Sequence, residues 1–264
     1  MRKYMYVFGS TFKTKSTTIF DTLLSMIGYI IMSFVLVELW SYVYGEQGYS
    51  VINGFSMSQT LWHLVVAEFI TSCIRGKAWV KSMSADVKSG SVAYKLNKPY
   101  DYYTYSLVSS FSEGMWIFVF YLPLCFILGG VLVGDFSVIS LVGIVPSILT
   151  CILSVLLSCV LYSIIGLSSF WVEDATPFSW ILQKVCFMCG LLFPVEFLPE
   201  AIRPIIYYSP IYGVYSGPSR LIANFSWEQF GLVVLSQVAW IVALYIIGRL
   251  IFSRAKRKVN VNGG

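Results

Sequence analysis

The chain has 264 residues, of which 57% are hydrophobic and only 12% charged, with a mean hydropathy of +0.75. A soluble domain carries about a quarter charged residues, so this composition excludes an ordinary water-soluble enzyme domain and points to a membrane. The net charge of +5 does not indicate nucleic acid, because the basic residues flank apolar runs instead of forming one exposed surface. Contact with anionic membrane lipid is the expected use.

Residues 1–18 mix Tyr4, Met5, Val7, Phe8 and Phe12 with Arg2, Lys3, Lys13 and Lys15, the composition of an interfacial helix lying under a membrane. The following apolar stretch is long enough to span and no small-residue cleavage site appears early, so this segment is not expected to be a cleavable signal. A span needs about 20 apolar residues at about 1.5 Å rise each. Six stretches reach that length: Ile19–Val43, Ser56–Ile74, Tyr105–Val133, Ser137–Leu167, Thr176–Leu198 and Phe230–Phe252. The expected fold is an all-α membrane protein with six transmembrane helices in a permease domain of residues 19–264.

Basic residues cluster at 2–15, at 75–98 and at 249–258, and such short Lys/Arg-rich segments are retained in the cytoplasm. Both termini are therefore expected inside a plasma membrane, with the segments near Glu46, near Asp135 and from Glu196 to Glu228 outside. Only Arg203 and Arg220 interrupt the depletion of basic residues there. The loop from Ser168 to Pro177 falls on the inner side although it has no Lys or Arg.

Between the second and third spans, residues 75–104 form a cytoplasmic segment. Trp79, Val80, Met83 and Val87 recur at helical spacing from Lys77 to Ser89, Lys77, Lys81 and Lys88 occupy other faces, and Gly90 is placed as a C-terminal cap. Such a helix either anchors the loop at the interface or docks into a groove on a soluble partner. At the far end of the fifth span, Pro194, Pro199, Pro204 and Pro210 prevent a continuous helix, while Phe197, Ile202, Ile205, Ile206, Tyr207 and Tyr208 keep the segment at membrane depth.

Charged residues inside spans cost roughly 2.5–3.5 kcal/mol each on insertion scales and need partners or a function. By rise per residue, Glu68 lies about 9 Å from the inner end of its span, and Glu113 and Lys184 about 12 Å from theirs. Lys184 is therefore expected to pair with one of the two glutamates. Trp40, Tyr42 and Tyr44 at the outer boundary, and Trp171 and Trp180 at the inner one, are expected to be interfacial belts. The six cysteines read as small apolar fillers, because Cys186 and Cys189 have no second pair and His63 is the lone histidine.

No nucleophile elbow, H-E-x-x-H or Gly-rich Lys-Ser/Thr phosphate loop is present. No catalytic residue, metal or cofactor is therefore expected in this chain, and ATP-driven work would need a separate motor.

The run Asp86-Val87-Lys88-Ser89-Gly90-Ser91-Val92-Ala93-Tyr94-Lys95-Leu96-Asn97-Lys98-Pro99 resembles the cytoplasmic segment of type-2 ATP-binding-cassette (ABC) permeases. The run Gly190-Leu191-Leu192-Phe193-Pro194-Val195-Glu196-Phe197-Leu198-Pro199 resembles that family's segment at the outer end of the fifth span. The family pattern has Arg before Pro in the first run, where this chain has Lys98. That keeps the charge but removes a bidentate fork.

The resemblance implies a half-transporter, here of a bacterial plasma membrane, that pairs with a second permease chain, the same or homologous, and with two ABC ATPase subunits that bind ATP and Mg. It implies an ATPase-docking helix at Lys77, Val80, Lys81, Met83, Asp86, Val87, Ser89 and Gly90. It also implies a broken, re-entrant outer gate over residues 193–229, with Phe193, Pro194, Phe197, Pro199, Tyr207 and Tyr208. The expected activity is export of an amphiphilic drug, antimicrobial peptide, lipid or glycan. Two other classes remain open: a secondary transporter, for which no internal repeat is seen, and an intramembrane enzyme built on Glu68, Glu113 and His63.

Overall fold

A computed structural model describes residues 2–48 and 50–262. The elements are α1 (Arg2–Ser16), α2 (Ile19–Gln47), a hairpin β1 (Val51–Ile52) and β2 (Phe55–Ser56), α3 (Met57–Cys73), α4 (Gly76–Lys88), α5 (Ser91–Leu96), α6 (Tyr102–Leu132), α7 (Leu141–Val172) and α8 (Thr176–Cys186). A π-helical stretch Phe187–Leu192 continues α8, and a single 3-10 turn Val195–Phe197 precedes α9 (Arg203–Tyr207), α10 (Pro210–Val214), α11 (Ser216–Ala223) and α12 (Trp227–Asn262).

Four helices, α2, α6, α7 and α12, are long and apolar enough to cross a membrane. Their 29 to 36 residues exceed the roughly 20 that a hydrocarbon core requires, so their ends reach beyond it. The other two expected spans are shorter: α3 has 17 residues, and α8 with its π-helical continuation covers Thr176–Leu192.

Local chemistry sets the bounds of α3. Asn53 and Gly54 carry positive φ values of 49° and 85°, as a tight hairpin turn between β1 and β2 requires. Ser56 then starts α3 with a capping box, accepting from the Gln59 N–H while the Gln59 side chain accepts from the Ser56 N–H. Every residue from Thr60 to Ile70 is buried. A helix screened on all sides by other helices has no lipid-facing stripe to keep apolar, which is why α3 can carry Thr60, His63 and Glu68. Gly129 on α6 permits its close approach: a Cβ there would stand 2.2 Å from the Trp62 ring.

The bundle has two chemically distinct ends. At one, the start of α6 meets the ends of α7 and α12 through Phe252, which packs on Tyr103 and Phe170 with ring centroids 5.7 and 6.5 Å away. Asp101 caps α6 by accepting from the Thr104 N–H at 2.9 Å and also accepts from Arg249 Nη1 at 2.6 Å. The basic segments and α4 and α5 lie at this end. At the other end, Trp62 Nε1 donates to the Asp135 carbonyl at 2.8 Å, and the hairpin meets the segment after α8 through Asn53.

Helix α1 packs along α6 instead of standing apart. Phe8 faces Phe111, Phe12 meets the Trp116 ring edge-on at 5.0 Å, and the Ser112 hydroxyl donates to the Phe8 carbonyl at 2.7 Å. None of its residues is fully buried, in keeping with an amphipathic helix that keeps one face outside the bundle.

Candidate functional site

Helix α4 is clamped to α7 and α8. Gly76, its first residue, lies so close to Tyr162 that a Cβ would stand 2.1 Å from the ring. Val80 and Met83 are buried at 0% and 1% exposure, with Met83 against Gly166 of α7. The Ala175 N–H donates to Ser84 Oγ at 3.1 Å, Lys88 Nζ donates to Asp174 Oδ2 at 2.8 Å, and Lys77 Nζ lies 3.4 Å over the Trp180 ring. The α7–α8 loop, which has no basic residues of its own, is therefore held by Lys88 and Ser84 of α4.

This packing divides the expected docking set. Val80 and Met83, expected on the docking face, turn toward the chain's own core because the apolar stripe of an amphipathic helix goes to the larger apolar surface available, here α7. Val87 is half-buried. The exposed stripe is instead Ala78, Lys81, Ser82, Ala85, Lys88 and Ser89. Asp86 turns inward as a junction: it accepts from Lys95 Nζ at 2.6 and 2.7 Å, from Tyr102 OH at 2.9 Å and from Ser91 Oγ at 3.2 Å. Gly90, at φ 72°, ends α4 in the left-handed region, as placed from the sequence.

The expected gate segment breaks after Leu192, where Phe193 leaves helical geometry ahead of Pro194. The wide π-helical turn before it is a rare element, found frequently at functional positions. Phe193 and Phe197 pack on Trp40, with centroids 6.0 and 5.1 Å away, and Phe197 also meets Phe55. Trp40 and Tyr44 are therefore buried instead of forming a lipid belt, with the Tyr44 hydroxyl 2.8 Å from Thr60 Oγ1. Tyr42, at 65% exposure, lies on the surface, as do Trp171 and Trp180. Tyr207 packs on Tyr212 with centroids 4.5 Å apart, and the Tyr208 carbonyl accepts from Trp240 Nε1 at 3.1 Å.

Glu196 organises this end. Its carbonyl accepts from Asn53 Nδ2 at 3.1 Å and from Arg203 Nη2 at 2.9 Å, and its carboxylate is paired with Arg220. The two arginines that interrupt the basic depletion of the outer segments thus bind one residue. That convergence was not visible in sequence, since 24 residues separate Glu196 from Arg220. A buried α11 carries Arg220 back among α3 and α7.

The expected pairing of Lys184 is corrected. Glu113 pairs with Lys15 at 3.1 Å, because α1 folds against α6 and brings its last lysine to that depth. Lys184 is exposed on α8, and Glu68 has no cationic partner among the described residues. No group of His, Cys, Asp and Glu able to hold a metal occurs among the described residues, and Cys186 and Cys189 are free thiols.

Residues 26–263 match the family model described as ABC-2 family transporter protein. The chain belongs to the ABC-2 transporter family. No curated protein matches it. As a multi-pass member of a family whose permeases normally work with an ATPase subunit, this ABC-2 protein has a basic end where α4 stands exposed and a far end where the Glu196 cluster closes over α3.

Proposed function

We propose that this ABC-2 protein is the membrane-spanning permease subunit of an ATP-driven exporter. A separate pair of ATPase subunits powers it, and a second permease chain, the same or homologous, completes it. The chain crosses the plasma membrane six times, with α3 and the α8 rod as the two short crossings and both termini in the cytoplasm. The cargo is amphiphilic and leaves through the gate formed by Phe193, Pro194, Phe197, Pro199, Tyr207 and Tyr208. ATP and Mg are bound by the partner.

The observation that carries this reading is α4: an exposed helical stripe on a helix rigidly tied to α7 and to the α7–α8 loop. A push on that stripe moves α7 and α8 together, and α8 leads directly into the broken segment at the far end. The docking contacts are assigned to Lys81 and Ser89 with Ala78, Ser82 and Ala85, while Lys77, Val80, Met83 and Asp86 hold α4 in place.

Purification of the tagged chain in mild detergent from its native cells tests this. A cassette ATPase should co-purify, and Lys81→Glu combined with Ala85→Asp should release it while leaving the melting temperature of the permease intact. Recovery of the wild-type chain without any ATPase overturns the proposal.

A further inference from the structure

Between α4, α5 and α6, at the basic end, lies a cleft of about 340 Å³ lined by Arg75, Lys98, Tyr105, Ser106 and Ser109 among others. Its charges do not cancel. Asp86 is occupied by Lys95 and Tyr102, and Glu113 by Lys15. Arg75 and Lys98 have no carboxylate within ion-pair distance among the described residues. Lys98 Nζ lies 5.1 Å from the Tyr94 centroid and 6.0 Å from that of Tyr100. Two cations therefore stand over a surface of serine and tyrosine hydroxyls, next to the first turn of α4, whose N-terminus has no side-chain cap. That set suits an anion with several oxygens: Arg supplies a planar fork, Lys a point charge and the hydroxyls further donors.

The place of the cleft identifies the source. Helix α1 runs beside it, with Lys3 Nζ donating to the Pro99 carbonyl at 3.2 Å and Thr11 Oγ1 3.5 Å from Ser109 Oγ. Met5 and Tyr6 on the same helix are 74% and 79% exposed, apolar and amphipathic surface of the kind that rests in a lipid headgroup layer. We propose that this cleft binds the phosphate headgroup of an anionic phospholipid through Arg75 and Lys98. Basic clefts between helices on the cytoplasmic side suit such headgroups. Because Ala78 and Ser82 both line the cleft and belong to the exposed stripe of α4, the bound headgroup stands beside the surface to which the ATPase docking is assigned.

The test uses the full chain, delipidated and reconstituted in nanodiscs of phosphatidylcholine with or without phosphatidylglycerol, then read by native mass spectrometry for retained lipid. The wild type should retain phosphatidylglycerol in preference to phosphatidylcholine. Arg75→Gln with Lys98→Gln should weaken that retention roughly a hundredfold, the scale of two lost charge-assisted contacts at about tenfold each. Arg254→Gln with Arg257→Gln removes the same charge elsewhere at the basic end and should leave retention unchanged, as should Arg75→Lys with Lys98→Arg. Equal retention of the two lipids by the wild-type protein overturns the lipid assignment without reference to any variant. If inorganic phosphate then raises the melting temperature of the wild type but not of the Gln pair, the anion site stands and its occupant is a soluble phosphate. If neither anion acts, the site itself is refuted.

Discussion

Lys88 and Asp174, 86 positions apart in the sequence, meet in a 2.8 Å ion pair that ties the end of α4 to the α7–α8 loop. The hydrogen bond from Lys88, followed by those from Thr176, holds the Asp174 carboxyl well below its ordinary value of 3.8. A carboxylate whose pKa is depressed by folding stabilises the fold above its ordinary pKa, and that contribution fades as pH falls through the depressed value. Both side chains are about half exposed, so the effect is small. A double-mutant cycle of Lys88→Met and Asp174→Asn by thermal melting should show positive coupling at neutral pH and none in strong acid. Coupling that persists in acid would disprove the link.

Gly76→Ala should destabilise the protein by roughly 1–3 kcal/mol, the usual cost of overpacking. The added methyl meets Tyr162, itself only 2% exposed, and the ring cannot withdraw without disturbing Val80 and Ala175. In a Tyr162→Ala background, itself less stable because a buried ring is removed, the added cost of Gly76→Ala should shrink toward zero. An unchanged melting temperature for Gly76→Ala would show that α4 sits farther from α7.

Phe12→Ala should loosen α1 at a cost of roughly 1–2 kcal/mol, below the 3–5 kcal/mol typical of a fully buried Phe, because its ring is only partly covered by Trp116. Limited proteolysis after Lys13 or Lys15 is the direct measure: cleavage should be slow in the wild type and faster in the variant. Equal rates would mean that α1 is not held by this contact.

At the far end, Glu196→Gln and Arg220→Met should each weaken the tie between the broken segment and α11. Their cycle should give a coupling of roughly 1–3 kcal/mol, since the two side chains are only 21% and 23% exposed. In a reconstituted complex with its ATPase, either variant should also change transport more than ATP hydrolysis if this cluster controls the outer gate. Parallel loss of both activities would argue for a purely structural tie.

Much of this arrangement was legible in the chain. The apolar runs located all of the long helices and Gly90 ended α4 where expected, whereas the fifth span, expected to reach Leu198, already breaks after Leu192. The small hairpin passed unnoticed although Asn53-Gly54 is its signal, because strands of two residues carry no periodicity to detect. The ion pairs went wrong for a different reason. Depth along a span was the only coordinate the sequence offered, and Lys184 shares a depth with Glu113, but which face of the bundle each helix presents is set by packing.

By itself the sequence determined the membrane class, the placement of apolar and basic segments and the family motifs, because each of these follows from composition or from residues close together in the chain. The tertiary structure decided which side of α4 is buried, which cation reaches Glu113, and that Asn53, Arg203 and Arg220 converge on Glu196. Those outcomes depend on how helices rotate about their axes to bury the most surface. That rotation is a property of the whole bundle, to which no short stretch of residues has access.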